Sequence, residues 1–284
     1  MRLLVTGAGG QLGRDVVTAS EAAGDDVLAF DHRGLDVTDR DGVLAAITSL
    51  RPDAVVHCAA WTAVDACEGD PDRALLANGL AVRWIAEACH RSAAHLVHVS
   101  TDYVFDGSLA RPYHEWDQPS PQSSYGRSKL AGEREALALG SAAAVVRTSW
   151  VCGLHGANMV KTILRLAAER PSLAFVADQR GCPTFTADLA PVLRRIALDR
   201  RSGVHHVTNQ GAVSWFEFAQ EVVAASGRER AMVHPISTTD LDPPRPAPRP
   251  ANSVLDNAAL RLAGLPLLRD FREPLAELVT QLRA

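Results

Sequence analysis

Short apolar runs alternate with helix-like segments along the first half of the chain. The apolar runs predict buried strands at 2–6, 27–30, 54–58, 95–99 and 143–147. Segments of helical character separate them at 15–23, 39–50, 72–91 and 123–139. This alternation is typical of an α/β fold with a parallel, doubly wound sheet. Ligands of such sheets bind outside the carboxyl ends of the strands, so we expect functional residues at those ends.

The alternation weakens from about residue 150. Helices are predicted near 157–169, 186–198, 214–226 and 269–282, with short strands between them. The segment 242–250 contains five prolines, so it can form neither a helix nor a central strand. We predict an ordered loop there, near the substrate, with a disordered linker as the alternative. Together these patterns predict a first domain over 1–150 and a smaller substrate-binding lobe over 151–284, some segments of which return to the first domain.

The turn after the first strand is rich in glycine. Gly7, Gly10 and Gly13 are spaced Gly-x-x-Gly-x-x-Gly between a strand and a helix, which lets backbone N–H groups approach a pyrophosphate. The second strand ends at Asp31, 18 residues after Gly13, where an acidic residue binds the adenosine ribose hydroxyls. These features predict a Rossmann-type dinucleotide domain, with a glycine-rich turn of another α/β protein as the alternative. Arg33 could pair with a 2′-phosphate, so the sequence leaves NADH and NADPH both open.

Tyr125 and Lys129 are four residues apart in a predicted helix, which places both side chains on one face. An ammonium group beside a phenol favours the phenolate, so it lowers the phenol's pKa and makes a general acid/base. Thr101 follows the fourth strand, where its hydroxyl can donate to a substrate carbonyl oxygen. Tyr-x-x-x-Lys alone arises often by chance, and a strand-end cap would explain Thr101 alone. Their occurrence after a dinucleotide loop indicates a reductase.

Composition and charge narrow the function further. The 284 residues carry a net charge of −4 and no basic run, so nucleic acid is not expected as a partner. No apolar stretch approaches the ~20 residues of a membrane span, and the first residues predict a strand rather than a signal peptide. The five cysteines form no Cys-x-x-Cys pair, which favours reduced thiols and a cytoplasmic location. The histidines include no His-Glu-x-x-His, so a zinc enzyme is not expected.

The glycine loop, the hydroxyl-bearing strand end and Tyr-x-x-x-Lys occur in an order that resembles the extended short-chain dehydrogenase/reductase superfamily. Longer motifs are similar to those of the dTDP-4-dehydrorhamnose reductase family and extend nearly from end to end. They are 59–65, 100–105, 147–151, 178–184 and 249–253. The resemblance implies NAD(P)H-dependent reduction of the C4 keto group of dTDP-4-dehydro-L-rhamnose by a monomer or homodimer. Two alternatives stay open: a 4-ketoreductase for another dTDP-4-keto-6-deoxysugar of antibiotic biosynthesis, and a non-catalytic regulatory subunit of the same fold.

The resemblance also implies roles for individual residues. Tyr125 would be the proton donor, Lys129 would lower its pKa and contact the nicotinamide ribose, and Thr101 would tune the acid. The expected cofactor contacts include the glycine loop and are Gly7, Gly10, Gln11, Leu12, Gly13, Asp31, Arg33, Asp36, Val37, Ala60, Trp61, Thr62, Tyr125 and Lys129. The expected sugar-nucleotide contacts are Thr101, Asp102, Trp150, Asn158, Lys161 and Arg249, the last three at the diphosphate. The alternatives are core packing for Trp150 and surface solvation for those three.

Some members of the family dimerise through Mg²⁺ held by acidic side chains. In this chain Asp15 stands where one such glutamate is expected, and Ala187-Asp188 stands where two adjacent acids are expected. Because a hard cation needs several oxygen ligands, one carboxylate is missing for this ion. The resemblance to the Mg²⁺-binding members is therefore incomplete at these positions.

Overall fold

A computed structural model describes residues 1–283; residue 284, the last of the predicted substrate-binding lobe, lies outside them. The strands are β1 (Arg2–Thr6), β2 (Asp26–Phe30), β3 (Ala54–His57), β4 (His95–Thr101), β5 (Ala143–Thr148), β6 (Val151–Cys152), β7 (Leu173–Val176), β8 (Arg180–Gly181), β9 (Thr184–Phe185), β10 (Gly203–His206), β11 (Val213–Ser214) and β12 (Val233–Ile236). The helices are α1 (Gln11–Ala22), α2 (Arg40–Leu50), α3 (Val64–Gly69), α4 (Pro71–Leu75), α5 (Ala81–Ser92), α6 (Ser124–Leu137), α7 (Met159–Glu169), α8 (Thr186–Leu198), α9 (Trp215–Ala225), α10 (Ala258–Leu262) and α11 (Arg272–Gln281).

Six parallel strands form the central sheet in the order β10-β5-β4-β3-β1-β2. Alternate residues of a strand point to opposite faces, and β1 follows this rule. Leu3 and Val5 pack with residues of α1 and α8, whereas Leu4 packs with residues of α2 and α5. Both faces are thus covered by helices, and the predicted doubly wound α/β fold is confirmed.

The part of the chain beyond residue 150 contributes to two cores. β10 extends the central sheet beside β5, and α8 packs beside α1 on one face of that sheet. A separate core joins α7, α9 and α11 through buried side chains such as Ile163, Phe218 and Leu275. The assignment of a substrate-binding lobe to 151–284 stays a prediction.

The predicted long helix at 72–91 is interrupted. After α4 the chain forms a π-helical turn at Leu76–Leu80 before α5 begins. π-turns inside helices occur often at functional sites, and this one places Asn78 in the interior. Apolar periodicity could not detect it, since one widened turn barely changes the pattern of buried positions.

Candidate active site

The site lies where the carboxyl ends of the parallel strands meet. β1 leads into the glycine loop, β2 leads into Asp31, and β4 ends at Thr101. Because these strands are neighbours in register, the residues that follow them line one edge of the sheet. That edge is where a doubly wound sheet binds its ligand.

The glycine loop leaves no room for side chains at two of its glycines. Gly7 has a φ of +67°, and a Cβ there would lie 2.7 Å from the backbone nitrogen of Ala59. A Cβ on Gly13 would overlap the carbonyl oxygen of Gly7. The next helix, α1, begins after Gly10 without a side-chain cap. Its first N–H groups can therefore donate to an anion, as at other helix N-termini that bind phosphate.

A cavity of about 720 Å³ opens beside this loop. Of the predicted cofactor contacts, it is lined by Gly7, Gly10, Asp31, Arg33, Asp36, Val37, Ala60 and Trp61. It is also lined by residues that the sequence did not single out, including His32, Leu35, Arg73 and Leu76. Six predicted cofactor contacts are not part of the lining: Gln11, Leu12, Gly13, Thr62, Tyr125 and Lys129. The first three belong to the adjoining first turn of α1. A cavity of this size and mixed lining suits a large polar cofactor.

Asp31 closes this cavity beyond β2. Its Oδ1 accepts backbone N–H groups of Gly34 and Arg33, each at 2.9 Å. These two hydrogen bonds lower the pKa of Asp31, so the side chain is ionised at neutral pH. Asp36 is held similarly by the N–H and hydroxyl of Thr38, which lower its pKa. Ionised carboxylates are the acceptors that ribose hydroxyls need.

Tyr125 and Lys129 lie in α6, with 9% and 2% of their surfaces exposed. Ser123 caps α6 by accepting the N–H of Gly126. The helix packs against the turn after β4 so closely that a Cβ on Gly126 would overlap the carbonyl oxygen of Tyr103. This packing brings the Tyr125 phenol close to the Thr101 hydroxyl. The structure thus brings together the tyrosine and the threonine that the sequence predicted as partners.

The lowering of the Tyr125 pKa by Lys129 stays a prediction. Burial raises the pKa of Tyr125, and the neighbouring Thr101 hydroxyl only opposes that rise. The Lys129 ammonium donates instead to the carbonyl oxygen of Val99 at 2.8 Å, and burial lowers its own pKa to about 8. The i, i+4 spacing placed both side chains on one face, as predicted. Desolvation of the phenol is the largest cause of the Tyr125 pKa shift.

Asp102 follows Thr101 and is 2% exposed. Its Oδ1 accepts the Thr101 hydroxyl at 2.9 Å. Burial raises its pKa to about 7. The predicted contact of Asp102 with a sugar nucleotide stays a prediction, but its carboxyl is hydrogen-bonded to Thr101, which lies close to Tyr125.

Asn78 is a residue that the sequence reasoning missed. Its amide accepts from the N–H of Trp61 and donates to the Trp61 carbonyl and to Ser128 in α6. It therefore ties the loop that lines the cofactor cavity to the helix that carries Tyr125 and Lys129. A buried asparagine inside an apolar helical segment was the available signal, since such a polar group needs partners.

Trp150 is held among other side chains. Its backbone φ is +47°, an uncommon conformation for a bulky residue. Its ring stacks on Trp215 with centroids 3.5 Å apart, and a Cβ on Gly181 would lie 2.5 Å from it. The alternative of core packing therefore accounts for much of the Trp150 surface, and its contact with a sugar stays a prediction.

The three residues expected at the diphosphate have partners within the protein. Asn158 caps α7 and donates to Gln11 Oε1 at 2.7 Å. Lys161 donates to the carbonyl oxygens of 154 and 156. Arg249 makes a bidentate ion pair with Asp65, at 2.5 and 2.8 Å. The simple alternative of surface solvation fails for Arg249, whose side chain is 14% exposed, and the diphosphate role of all three stays a prediction.

The acidic residues considered for Mg²⁺ do not form a cation site. Asp188 accepts hydrogen bonds from Asn209 and Arg269, and the carboxyl of Asp15 lies 3.8 Å from His155 Nε2. Within residues 1–283 there is no group of three or more His, Cys, Asp or Glu residues that could hold a metal ion. These side chains do not fit the ion, because the Arg269 guanidinium already neutralises Asp188. Over the same residues, no helix is both long and apolar enough to span a membrane.

Comparison with known proteins extends these observations to the whole chain. The family of the RmlD substrate binding domain matches residues 1–284. A protein of Streptomyces antibioticus named as a probable dTDP-4,6-dihydroxy-2-methyloxan-3-one 4-ketoreductase is 45% identical over 281 residues, covering 98% of this chain and 94% of that protein. A dTDP-4-dehydrorhamnose reductase of Streptomyces griseus is 43% identical over 282 residues, covering 97% and 92%.

A solved structure shows the same similarity in three dimensions. It is a dTDP-4-dehydrorhamnose reductase from Bacillus anthracis in complex with NADP. Its fold matches this chain with a TM-score of 0.94 at 37% identity, and the match covers 99% of both chains. The chain is therefore similar over its whole length to reductases of dTDP-linked ketosugars.

Proposed function

Because the chain belongs to the family of the RmlD substrate binding domain, we propose that it reduces the C4 keto group of dTDP-4-dehydro-L-rhamnose to give dTDP-L-rhamnose. The protein is an oxidoreductase that uses a nicotinamide cofactor. One observation carries the choice of reaction: the Tyr125 phenol lies close to Thr101 at the end of β4, at the sheet edge that also carries the dinucleotide-type cavity. A carbonyl reduction needs a proton donor at that edge.

The residues of the site divide the chemistry between them. When bound, the reduced nicotinamide supplies the hydride. Tyr125 donates its proton to the carbonyl oxygen as negative charge develops there, and its raised pKa keeps the phenol protonated beforehand. The Thr101 hydroxyl stabilises the phenolate that is left. Lys129 adds a buried positive charge on the same face of α6, which favours that phenolate.

We propose that both NADH and NADPH are accepted. The ionised Asp31 suits unmodified ribose hydroxyls, whereas Arg33 lines the same cavity and can pair with a 2′-phosphate. In an Arg33→Ala enzyme, kcat/KM for NADPH should fall about tenfold, as expected for the loss of one charged hydrogen bond, and kcat/KM for NADH should hold. Arg170→Ala, at an exposed position after α7, is the control. An equal fall with both cofactors would contradict the role of Arg33.

A second candidate is a 4-ketoreductase for another dTDP-4-keto-6-deoxysugar. It is favoured by the protein named as a 4-ketoreductase, whose identity of 45% slightly exceeds the 43% of the rhamnose-type reductase. The two candidates share the proton donor and differ only in the sugar. Purified protein assayed with epimeric dTDP-4-keto-6-deoxysugars, with NADPH and NADH oxidation followed separately, distinguishes them by their kcat/KM values.

The proton-donor role is tested by Tyr125→Phe. Loss of a general acid should lower kcat by about 10²–10⁴-fold. Tyr113→Phe is the matched control, because Tyr113 is also buried but packs with Phe105 and donates to Asp106. Turnover of dTDP-4-dehydrorhamnose at the full rate by Tyr125→Phe would remove the basis of the proposal.

A further inference from the structure

A carboxylate, a guanidinium and a hydroxyl are buried together between α6 and the central sheet. Glu133 is 1% exposed and Arg147 is 3% exposed. Arg147 Nε and Nη2 donate to Glu133 Oε1 and Oε2 at 2.9 and 2.7 Å, and Ser100 Oγ donates to Oε1 at 2.6 Å. The three residues do not line the cofactor cavity, and none is among the expected contacts of the sugar nucleotide. Ligand binding therefore does not explain their presence.

The partners of Glu133 come from one row of residues across the central sheet. Ser100 of β4 is in register with Arg147 of β5, and Arg147 is in register with His206 of β10. Residues in register on parallel strands point to the same face of a sheet. The row therefore forms a polar receptor on the face that α6 covers, and the Glu133 carboxylate reaches into it.

The guanidinium of Arg147 is also held by groups outside α6. His206 Nδ1 lies 3.2 Å from the carbonyl oxygens of Tyr113 and Asp256, so its proton is on Nδ1 and its Nε2 is an acceptor. Arg147 Nη1 lies 3.4 Å from that Nε2. The guanidinium carbon is 5.1 Å from the centre of the Phe105 ring, within the range of a cation–π contact. The direction in which Arg147 presents its remaining donors is therefore set by the sheet and the loops around it.

A buried ion pair of this kind is weak evidence for stability. Removing two charges from water costs about as much as their mutual attraction returns, and apolar side chains of similar volume often fill such a space equally well. What the pair provides is geometry, because a bidentate contact between a carboxylate and a guanidinium has a defined alignment. The contact of Glu133 with Arg147 thus specifies where on the sheet α6 packs and how it is rotated.

Glu133 lies on the helix face that carries the reacting groups. Tyr125, Lys129 and Glu133 follow one another at intervals of four residues in α6, so their side chains project from the same face. Ser100, which binds Glu133, directly precedes Thr101 in β4. The attachment therefore fixes α6 against the strand end that faces the reaction. A displacement of about 1 Å at a reacting group can lower a rate about 10²-fold.

We propose that Glu133 is a positioning residue whose bidentate contact with Arg147, reinforced by Ser100, holds α6 in the place that presents Tyr125 and Lys129 to the substrate. This inference rests on the proposed reductase function. Glu133 acts through the helix and touches no reacting atom. No proton passes through it, so the reaction itself is unchanged.

The carboxylate of Glu133 also influences the charge of Lys129. The ionisable groups whose charges interact with that of Lys129 are His57, Cys58, His98 and Glu133. Burial lowers the pKa of Lys129 to about 8, and the Glu133 carboxylate opposes that fall. Without this carboxylate Lys129 should lose its proton at a lower pH, and the alkaline fall of kcat should move with it.

The double variant Glu133→Met/Arg147→Met separates positioning from stability. It leaves neither charge buried without its partner, so the melting temperature should stay within about 5 °C of the wild-type value. We expect kcat to fall about 10–100-fold, because α6 loses its alignment. The dissociation constant for NADPH should stay within about threefold. The midpoint of the alkaline fall should drop by about one pH unit from its wild-type value near 8.

Glu135→Met/Arg83→Met is the matched control. It removes a bidentate pair from the same helix at a more exposed position, where Arg83 donates to both oxygens of Glu135 at 2.9 and 2.6 Å. This variant should keep the wild-type kcat and pH profile. A folded Glu133→Met/Arg147→Met enzyme with the wild-type kcat and the wild-type alkaline midpoint would overturn the inference.

Ser100→Ala covers the case in which the double variant does not fold. It removes one donor to Glu133 but leaves the ion pair in place, so kcat should fall about threefold to tenfold with NADPH affinity unchanged. Ser92→Ala, which removes a hydroxyl that donates to a carbonyl oxygen within α5, should have no effect. An unchanged kcat in Ser100→Ala would then overturn the inference. The proposed function fails separately, since wild-type protein would then reduce none of the dTDP-4-keto sugars.

Discussion

The cofactor side and the substrate side of the cleft are built in different ways. On the cofactor side the backbone sets the shape: Gly7 and Gly13 allow chain segments to approach to distances that exclude a Cβ. On the substrate side, pairs of side chains set the shape: Trp150 stacks on Trp215, and Arg249 pairs with Asp65 across 184 residues of sequence.

This difference predicts how each side responds to substitution. Backbone that is already in contact cannot move aside for a new atom, so one methyl group should be enough to disable the cofactor side. A side-chain pair can lose one member and leave the backbone in place. Binding of the sugar nucleotide on the substrate side should therefore weaken gradually with each substitution.

Gly13→Ala should have the largest effect. The new Cβ would overlap the carbonyl oxygen of Gly7, and overlap with backbone costs roughly 3 kcal/mol, which corresponds to NADPH binding about 100-fold weaker. Fluorescence titration with NADPH measures this loss. Gly69→Ala, where a Cβ would have nothing within 4 Å, is the control. Normal affinity for NADPH in Gly13→Ala would contradict the idea that backbone contacts set the shape of the cofactor side.

Arg249→Ala should have an intermediate effect. Removal of the guanidinium leaves the carboxylate of Asp65 without its bidentate partner. It also weakens the attachment of the proline-rich segment 242–250 to α3, which then depends on the N–H of Ala247 and on Arg245. We expect KM for the sugar nucleotide to rise about tenfold with little change in kcat.

Asp65→Ala then distinguishes two explanations of that result. If Arg249 acts by fixing the segment through Asp65, Asp65→Ala and the double variant should raise KM by a similar factor. If Arg249 binds the diphosphate directly, Asp65→Ala should leave KM unchanged or lower it. Steady-state kinetics of the three variants gives the coupling between the two residues.

Trp215→Leu should have a smaller effect. It removes the ring on which Trp150 stacks, and an aromatic pair is worth about 0.5–1.5 kcal/mol beyond its buried area. We expect KM for the sugar nucleotide to rise roughly threefold, with NADPH affinity unchanged. Trp116→Leu, at a position that is 69% exposed, should alter neither. A loss of NADPH affinity would show that the two sides are coupled.

The smallest expected effect is on the pH dependence of the free energy of unfolding, and it comes from His57. Burial, aided by Lys129, lowers the pKa of His57 to about 3, whereas in the unfolded chain it is near 6.5. Between these values the unfolded state binds the additional proton, so stability is complete above pH 6.5 and falls as the pH decreases.

Urea unfolding at pH 7.5 and pH 5.5 measures this loss. His57→Asn should reduce the difference in unfolding free energy between these two pH values by up to about 1.4 kcal/mol, because pH 5.5 lies one unit below the unfolded pKa of about 6.5. His234→Asn, at an exposed position, should not. An identical difference in all three proteins would mean that burial of His57 has no effect on the pH dependence.

Several features could be predicted from sequence because they are local. The strands, the glycine spacing, Asp31 and the pair of Tyr125 and Lys129 each lie within a few residues or one helical turn, where geometry follows from the backbone alone. The α/β fold and the reductase family predicted from them are confirmed. The π-turn at Leu76–Leu80 was missed, because its effect on apolar periodicity is too small to detect.

The sequence by itself determined the fold class and the family, and it singled out the candidates for the residues that carry the chemistry. Only the tertiary structure decided how those residues are paired. It directed Lys129 to the carbonyl of Val99, joined Arg249 to Asp65, and placed the carboxyl of Asp102 beside Thr101 in a buried site. The physical reason is that a pKa or an ion pair depends on burial and on neighbours distant in the chain, and spacing along the sequence contains neither.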